Sequence, residues 1–504
     1  MVARPPRSGR FRFFIAFLMM LAMFLIDSKK MNLGMAMVCM VNHTAFAEEQ
    51  ISLLDSSEMA KCDRNDGVEV AIEQGYTGEL LWSPSMQALL FSAFFYGALV
   101  SAIPSGYLSD RFDPTKLLGL SLLILVIITF LDPIFAEWGY NMFLANRILL
   151  GIGEGSTFPT MVSIASRWCP AVDRSTFMAI FTSGTQIAGM LSGITSSSLC
   201  QLEFLGGWKL IFYVYGGLGI VWLVFWTLLA SSEPNDSTWI TEAERAYLND
   251  ELGHGQRRRF SFRGVPWMSI ATSLPCWAIG LAWFASNFTI VIVTAIIPSY
   301  FRDVLQLDLH KNGLYTMLPF VMQLIAKLSS GRLSDYIRRK QILGHTTTSK
   351  VFQSIGSFGT AIAFTCLALF VDCSNPQLAL AILTAQGVFY ATSVAGWATC
   401  LVAVCPRYSG ILSSLGMVFG LIGASLSPLV FGHLSTHFPG YAYKLLLLVA
   451  SVLNVGAGLF FLSFGSAVIQ PWAVAEVLPP TAILNNGGHE LQQVQEAEVE
   501  ASPA

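Results

Sequence analysis

Charge is scarce in this sequence. Lys, Arg, Asp and Glu together make up 12% of its 504 residues, against 54% for the hydrophobic types. Soluble domains carry about 25% charged residues, so a chain of this kind has too little polar surface to cover its apolar side chains in water. A lipid bilayer is the solvent that fits. The net charge of −3 gives no basic surface for nucleic acid. Nine cysteines are present, but none falls in a Cys-x-x-Cys pair or a Cys/His metal-ligand spacing. They read as membrane-buried thiols, except Cys62, which lies in a polar stretch and could pair with Cys39, Cys200 or Cys373. No G-x-S-x-G, H-E-x-x-H or Walker A pattern occurs, and the expectation is a protein that is not an enzyme and holds no cofactor. A cleavable signal peptide is not expected either. The apolar run from Phe13 to Ile26 has no small-residue cleavage motif and continues past Lys29 and Lys30, as a retained first span would.

Long apolar runs are what the sequence does have. About 20 largely apolar residues carry a helix across the hydrocarbon core. Twelve runs qualify: 13–40, 86–107, 117–136, 141–166, 175–200, 209–230, 269–299, 313–334, 351–371, 377–404, 411–434 and 442–466. The fold class expected is therefore an all-α membrane protein of twelve transmembrane helices in two pseudo-symmetric six-helix bundles. The expected organisation is a cytoplasmic N-terminus at 1–12, a first bundle at 13–230 with a polar loop at 43–85, a cytoplasmic linker at 231–267, a second bundle at 268–466 and a cytoplasmic disordered tail at 467–504. Within the linker, the stretch TEAERAYLNDEL has the pattern of a short amphipathic helix.

Lys and Arg near the ends of the runs set the orientation. Arg4, Arg7, Arg10 and Arg12 precede the first run. Arg111, Lys116, Arg167, Arg174, Arg257 to Arg259, Arg338 to Lys340 and Arg407 all fall on the same side. Both termini and the linker are expected in the cytoplasm, and loop 43–85 outside or in a lumen. Asn42 opens an Asn-His-Thr sequon on that outer side and is the glycosylation candidate.

One short polar sentence occurs twice. SGYLSDRF stands at 105–112, after the second run, and SGRLSDYI at 330–337, after the eighth. A repeat at the same place in each half implies halves related by an axis along the membrane normal. The copies read as cytoplasmic hinges, with Gly106 and Gly331 allowing close helix approach and Asp110, Arg111 and Asp335 at helix ends.

These features, with several more specific stretches, carry a resemblance. KMNLGMAMVCMVN begins at Lys30. FFYGALVSAIPSGYLSDR fills the second run, and RILLGIGEGSTFP, from Arg147 to Pro159, fills the fourth. RWCPAVDRS, RRKQIL, CPRYSGIL and QPWA follow in order. Together they resemble the anion:cation symporter family of the major facilitator superfamily, over about residues 13–473. That family holds sialin, the vesicular glutamate and nucleotide transporters and the sodium-phosphate cotransporters. The resemblance implies a secondary active transporter of a small organic or inorganic anion, working by alternating access. Proton coupling is the leading expectation, with sodium coupling or potential-driven uptake as alternatives. A sensor or scaffold that keeps the fold is the competing class. The membrane could be the plasma membrane or an endolysosomal or vesicular one, and the protein is expected to act as a monomer.

The departures from the family are specific. Lys30 stands where members usually carry Arg. Phe91 replaces a His of the glutamate transporters, and Ser286 replaces their Arg in the seventh span. Leu401-Val402-Ala403 replaces a His-Leu-Asp triplet, and Leu150 replaces a second carboxylate of sialin. The chain is a divergent member on this reading.

Ionisable residues inside a span cost about 2.5–3.5 kcal/mol on insertion scales and need a reason. The resemblance assigns Lys30 and Arg147 as substrate cations. Arg offers a planar fork, Lys a point charge. Asp27, three residues before Lys30, lies on nearly the same helix face and can neutralise it. Lys29 points elsewhere and is expected to snorkel, and Lys327 to be interfacial. Arg147 and Glu154 share a helix face about 10 Å apart, too far for a mutual ion pair but able to line one cavity at two depths. Glu154 and Asp27 are the proton-coupling candidates, taken as the only acids in mid-span. Gly151 and Gly155 form a small-xxx-small packing surface, and Pro159 allows a kink. Tyr96, Gln186, Asn287 and Gln386 are polar residues that either line the cavity or bond helix to helix. Tyr96 and Asn287 join Lys30 and Arg147 in the expected substrate site.

Overall fold

The computed structural model describes residues 11–42, 78–169, 174–202, 206–253, 266–307, 309–405, 409–438 and 440–474. Long helices follow the apolar runs closely. The first half holds α1 (Phe11–Met40), α2 (Pro84–Arg111), α3 (Pro114–Trp138), α4 (Tyr140–Glu154), α5 (Thr157–Trp168), α6 (Arg174–Thr182), α7 (Gly184–Cys200) and α8 (Trp208–Leu229). The linker contains α9 (Glu242–Gly253). The second half holds α10 (Trp267–Thr272), α11 (Leu274–Val291), α12 (Ile297–Asp303), α13 (Leu309–Arg339), α14 (His345–Phe370), α15 (Pro376–Val404), α16 (Ser409–His437), α17 (Ala442–Phe464) and the short α18 (Pro471–Val474).

Local chemistry explains the boundaries. Ser83 caps α2 and Asp113 caps α3, each followed by a proline at the first helical position. Asp113 accepts from the backbone N–H of Thr115 at 2.9 Å. The fourth run is broken between α4 and α5 at Gly155–Ser156, where Pro159 leaves the Gly155 carbonyl without its usual i+4 donor. The seventh run carries a π-helical turn at Ile292–Ile296 just before Pro298, which supplies no N–H to the turn above.

Eleven stretches are long and apolar enough to cross a membrane among the described residues. The eighth expected span, α13, is present as a 31-residue helix but is too polar to qualify. Gln323, Ser330 and Ser334 on it are buried, so its polarity is turned inward. Outside, the long helices show lipid-like surfaces. Val221, Leu228, Ile362 and Val452 are each more than half exposed, an apolar surface that soluble monomers avoid. The protein is an all-α, multi-pass membrane protein.

The two halves of the chain meet chiefly along two seams, α2 against α16 and α7 against α13, and also where α1 packs against the π turn and α12. Ser92 on α2 donates to the Ser425 carbonyl of α16 at 2.9 Å. Within the first half, α2 and α4 touch backbone to backbone. A Cβ on Gly151 would strike the Phe94 carbonyl, and one on Gly155 would crowd the Ala98 carbonyl and Ser101. The small-xxx-small reading of these two positions is the one the packing supports.

Several expectations are corrected here. Both polar repeats are helical: the first lies at the end of α2 and the second inside α13, with no break at Gly331. Cys39 and Cys200 bond to each other, joining the ends of α1 and α7, because both helices finish at the same level. Neither is left for Cys62, which lies outside the described residues. The tail is ordered at its start. Gln470 donates its backbone N–H to the Val404 carbonyl at 3.0 Å, and Ala473 is buried. The linker helix α9 is present as expected. Its Glu244 is fully buried, accepts the Phe11 backbone N–H at 2.9 Å and pairs with Arg12 at 3.6 Å.

Candidate functional site

Lys30 lies past the middle of α1, and two carboxylates converge on it. Its Nζ is 2.5 Å from Asp27 Oδ1 and 2.7 Å from Glu154 Oε1. Asp27 is one turn earlier on the same helix, as the i,i+3 spacing requires. Glu154 is the last residue of α4, and only the folding of α4 against α1 and α2 brings it close. The second Asp27 oxygen accepts a hydrogen bond from Thr185 Oγ1 at 2.6 Å, which ties the cluster to α7. About a quarter of the Lys30 side chain is exposed, against 6% for Asp27 and 14% for Glu154. The cation is the most accessible of the three. One cation facing two acids leaves the cluster one negative charge in excess when all are ionised.

Lys30 and Arg147 line one small cavity with Phe91, Phe94 and Phe95 of α2 and with Val291, Thr294 and Ala295 of the second half. Arg147, expected to line one cavity with Glu154, lines this one without it. Glu154 reaches it only through Lys30. The close approach of the two halves here depends on Gly34, where a side chain would run into the Thr294 carbonyl.

Arg147 is 1% exposed and is not free to meet an anion with its whole fork. Its Nη2 lies 3.2 Å from Asp132 Oδ2, and the guanidinium stacks 4.7 Å from the Phe143 ring centroid. The other Asp132 oxygen accepts from Asn146 Nδ2 at 2.8 Å. Asp132 is the residue that sequence reasoning missed. It is a third acid within the spans, near the end of the third run, and the signal was a charge inside LILVIITFLDPIF. Lys29 also departs from expectation. It is 5% exposed, its Nζ has no hydrogen-bond partner among the described residues, and it lies in the field of Asp132 and Glu154 instead of snorkelling to the interface. Lys327 is not interfacial either. Its Nζ donates to Gln186 Oε1 at 3.2 Å and to Thr182 Oγ1 at 3.3 Å, across the seam between α13 and α7.

The remaining expected site residues stand apart. Tyr96 is 37% exposed and shares a helix face with Val100, which is 67% exposed, so it points away from the Lys30 cavity. Asn287 donates to the Trp283 carbonyl of its own helix at 3.0 Å and packs against Gly420 of α16. Asp335 is exposed and lies 3.9 Å from Arg338. Gly106, Asp110 and Arg111 belong to the last turns of α2, and their surroundings lie outside the described residues. Asn42 donates its backbone N–H to the Leu80 carbonyl at 2.8 Å. His43 and Thr44 of its sequon lie outside the described residues.

A family model, Major Facilitator Superfamily, matches residues 12–428. The chain belongs to the major facilitator superfamily. Within it the chain is a divergent member of the anion:cation symporter group. It is 30% identical over 484 residues to "Uncharacterized transporter slc-17.3" of Caenorhabditis elegans, covering 92% of this chain and 90% of the relative. It is 28% identical over 464 residues to "Sialin" of Homo sapiens, covering 92% and 91%. Vesicular glutamate transporter 1 of Xenopus tropicalis is 28% identical over 468 residues, covering 92% and 76%. Among solved structures, a D-xylose-proton symporter superposes with a TM-score of 0.65 at 16% identity, covering 91% of this chain and 99% of that one. That likeness shows the facilitator fold. A facilitator is a transporter and not a catalyst, and this one is a secondary transporter that works by alternating access.

Proposed function

We propose that this facilitator carries a small anion in symport with protons. Lys30 and Arg147 bind the anion, and Glu154 with Asp27 forms the coupling pair. The observation that carries this reading is the Lys30 ammonium held between two carboxylates at 2.5 and 2.7 Å. An arriving anion competes with them for that ammonium. Burial favours the neutral form of an acid, and a nearby cation favours the charged form. A carboxylate that loses its share of Lys30 therefore binds a proton more readily. Linkage makes the effect reciprocal, so a bound proton also favours the bound anion. The loaded carrier then reorients with less unpaired charge facing low dielectric. The relatives' names support an anionic substrate, since sialin and the glutamate transporters stand among them.

The reading extends to architecture. Twelve spans, α13 included, form two six-helix bundles with both termini in the cytoplasm, and the protein acts as a monomer. The Cys39–Cys200 bond supports that orientation, because disulfides persist on the oxidising side, opposite the N-terminus. An epitope within residues 235–253 is then labelled only after permeabilisation.

The test is an uptake panel of radiolabelled anions in proteoliposomes, with imposed pH and sodium gradients. Accumulation of at least one anion under a pH gradient, and not under a sodium gradient alone, is the expected result. Accumulation driven only by sodium would replace the proton with sodium in the account.

A further inference from the structure

Lys29 carries a buried ammonium with no assigned work. Its Nζ has no hydrogen-bond partner among the described residues. A buried charge is costly unless it is paired, so an unbonded one calls for an explanation. Helix geometry turns it away from the Lys30 cluster. Asp27 and Lys30 share a face of α1, whereas Lys29 stands about 100° round the helix from Lys30 at 3.6 residues per turn. There it faces Asp132 of α3 first and Glu154 of α4 second, and neither is close enough to bond it.

Arg147 holds Asp132 loosely. Asn146 bonds one Asp132 oxygen at 2.8 Å. Arg147 Nη2 stands 3.2 Å from the other without the geometry of a hydrogen bond, and Arg147 Nε is unbonded too. One carboxylate therefore faces two buried cations, and its hold on either is weak. An anion in the Lys30 cavity meets the open edge of the Arg147 guanidinium first. If the guanidinium turned to it fully, Asp132 would lose its countercharge, and breaking a buried pair is strongly unfavourable. Lys29 has a flexible four-carbon stem and stands where it can take over.

We propose that Lys29 and Arg147 exchange places on Asp132. In the empty carrier Arg147 pairs with it. When an anion draws the guanidinium away, the Lys29 ammonium swings to Asp132, and Arg147 presents its fork to the anion. The exchange reverses when the anion leaves. Lys29 is a positioning residue, acting on the anion through Arg147. This rests on the anion-transport reading given above and adds how a paired guanidinium becomes free to take part in it.

The experiment has two arms, and the first needs no substrate. It reads the unfolding temperature of the full-length protein in detergent. Arg147→Met alone is expected to lower it only slightly, because Lys29 takes over Asp132. Lys29→Met alone is expected to match the wild type. Together they strand Asp132, and the loss is expected to go well beyond the sum of the two single losses. Arg147→Met with Lys29→Arg is expected to stay close to Arg147→Met, since a cation is kept. Losses that simply add would overturn the exchange. The second arm follows radiolabelled glutamate and inorganic phosphate into proteoliposomes under an imposed pH gradient. Lys29→Met is expected to raise KM for the transported probe about tenfold with little change in maximal rate; a merely structural role would lower the maximal rate and leave KM. Asp132→Asn added to Lys29→Met removes the charge that detains Arg147 and is expected to bring KM back to near the wild-type value. An unchanged KM in Lys29→Met would overturn the role of the exchange in transport. Uptake of neither probe by the wild type would go against the anion reading, while the first arm still decides the exchange.

Discussion

Asp132 holds Arg147 where neither side chain reaches water. The pair is 3.2 Å apart, with side chains 1% and 2% exposed, on helices α3 and α4. Removing one partner of a buried pair leaves an uncompensated charge and costs about 3–5 kcal/mol, whereas replacing both with apolar groups is often neutral. Asp132→Leu alone is therefore expected to lower the unfolding temperature sharply. Arg147→Met with Asp132→Leu is expected to recover most of it. A double variant as unstable as the single one would show that the pair is not the reason.

Arg147 is also the anion's second cation on this account, through the part of its guanidinium that Asp132 and Phe143 leave open. Arg147→Lys, which keeps a cation beside Asp132, and Arg147→Met with Asp132→Leu, which removes the whole pair, are both expected to fold and to lose substrate-induced thermal stabilisation. Normal stabilisation of the double variant would remove Arg147 from the site.

Much of this arrangement was legible in the sequence, for physical reasons. Apolar runs fix helices because a bilayer leaves the backbone no other partners. Pro159 marked where the fourth run is interrupted, while the π turn of the seventh run before Pro298 was not foreseen. The Asp27–Lys30 pair could be read because it is local, one helical turn long. Asp132 with Arg147 and Glu154 with Lys30 could not, since both join separate helices and depend on rotation about each axis. The same rotation decides that Lys29 is buried and that Tyr96 points outward. Lys327 was misplaced because distance from a run's end says nothing of what faces it.

The linker helix is expected to be fastened to the start of α1. Glu244 is fully buried, bonds the Phe11 backbone N–H and pairs with Arg12, so it satisfies a helix start and a guanidinium at once. Glu244→Ala should cost about 2–4 kcal/mol by unfolding in detergent. It should also expose the linker to limited proteolysis. Wild-type stability and protection would contradict the fastening.

Gly151 and Gly155 set the distance between α2 and α4. Gly151→Leu is expected to destabilise by about 1–3 kcal/mol or more, because the atoms in the way are backbone and cannot turn aside. Gly217→Ala is the control, with nothing within 4 Å of the added carbon. Equal stability of the two variants by thermal unfolding would refute close packing at Gly151.

The central claim is that a carboxylate bound to Lys30 couples the anion to a proton, and Glu154→Gln tests it most directly. Gln keeps the shape of the protonated acid but has no charge to gain or lose. In proteoliposomes the variant is expected to exchange internal for external substrate at a rate near that of the wild type. It is expected to lose accumulation when a pH gradient is imposed. Full proton-driven accumulation by Glu154→Gln would contradict the account and leave Asp27 as the carboxylate that carries the proton.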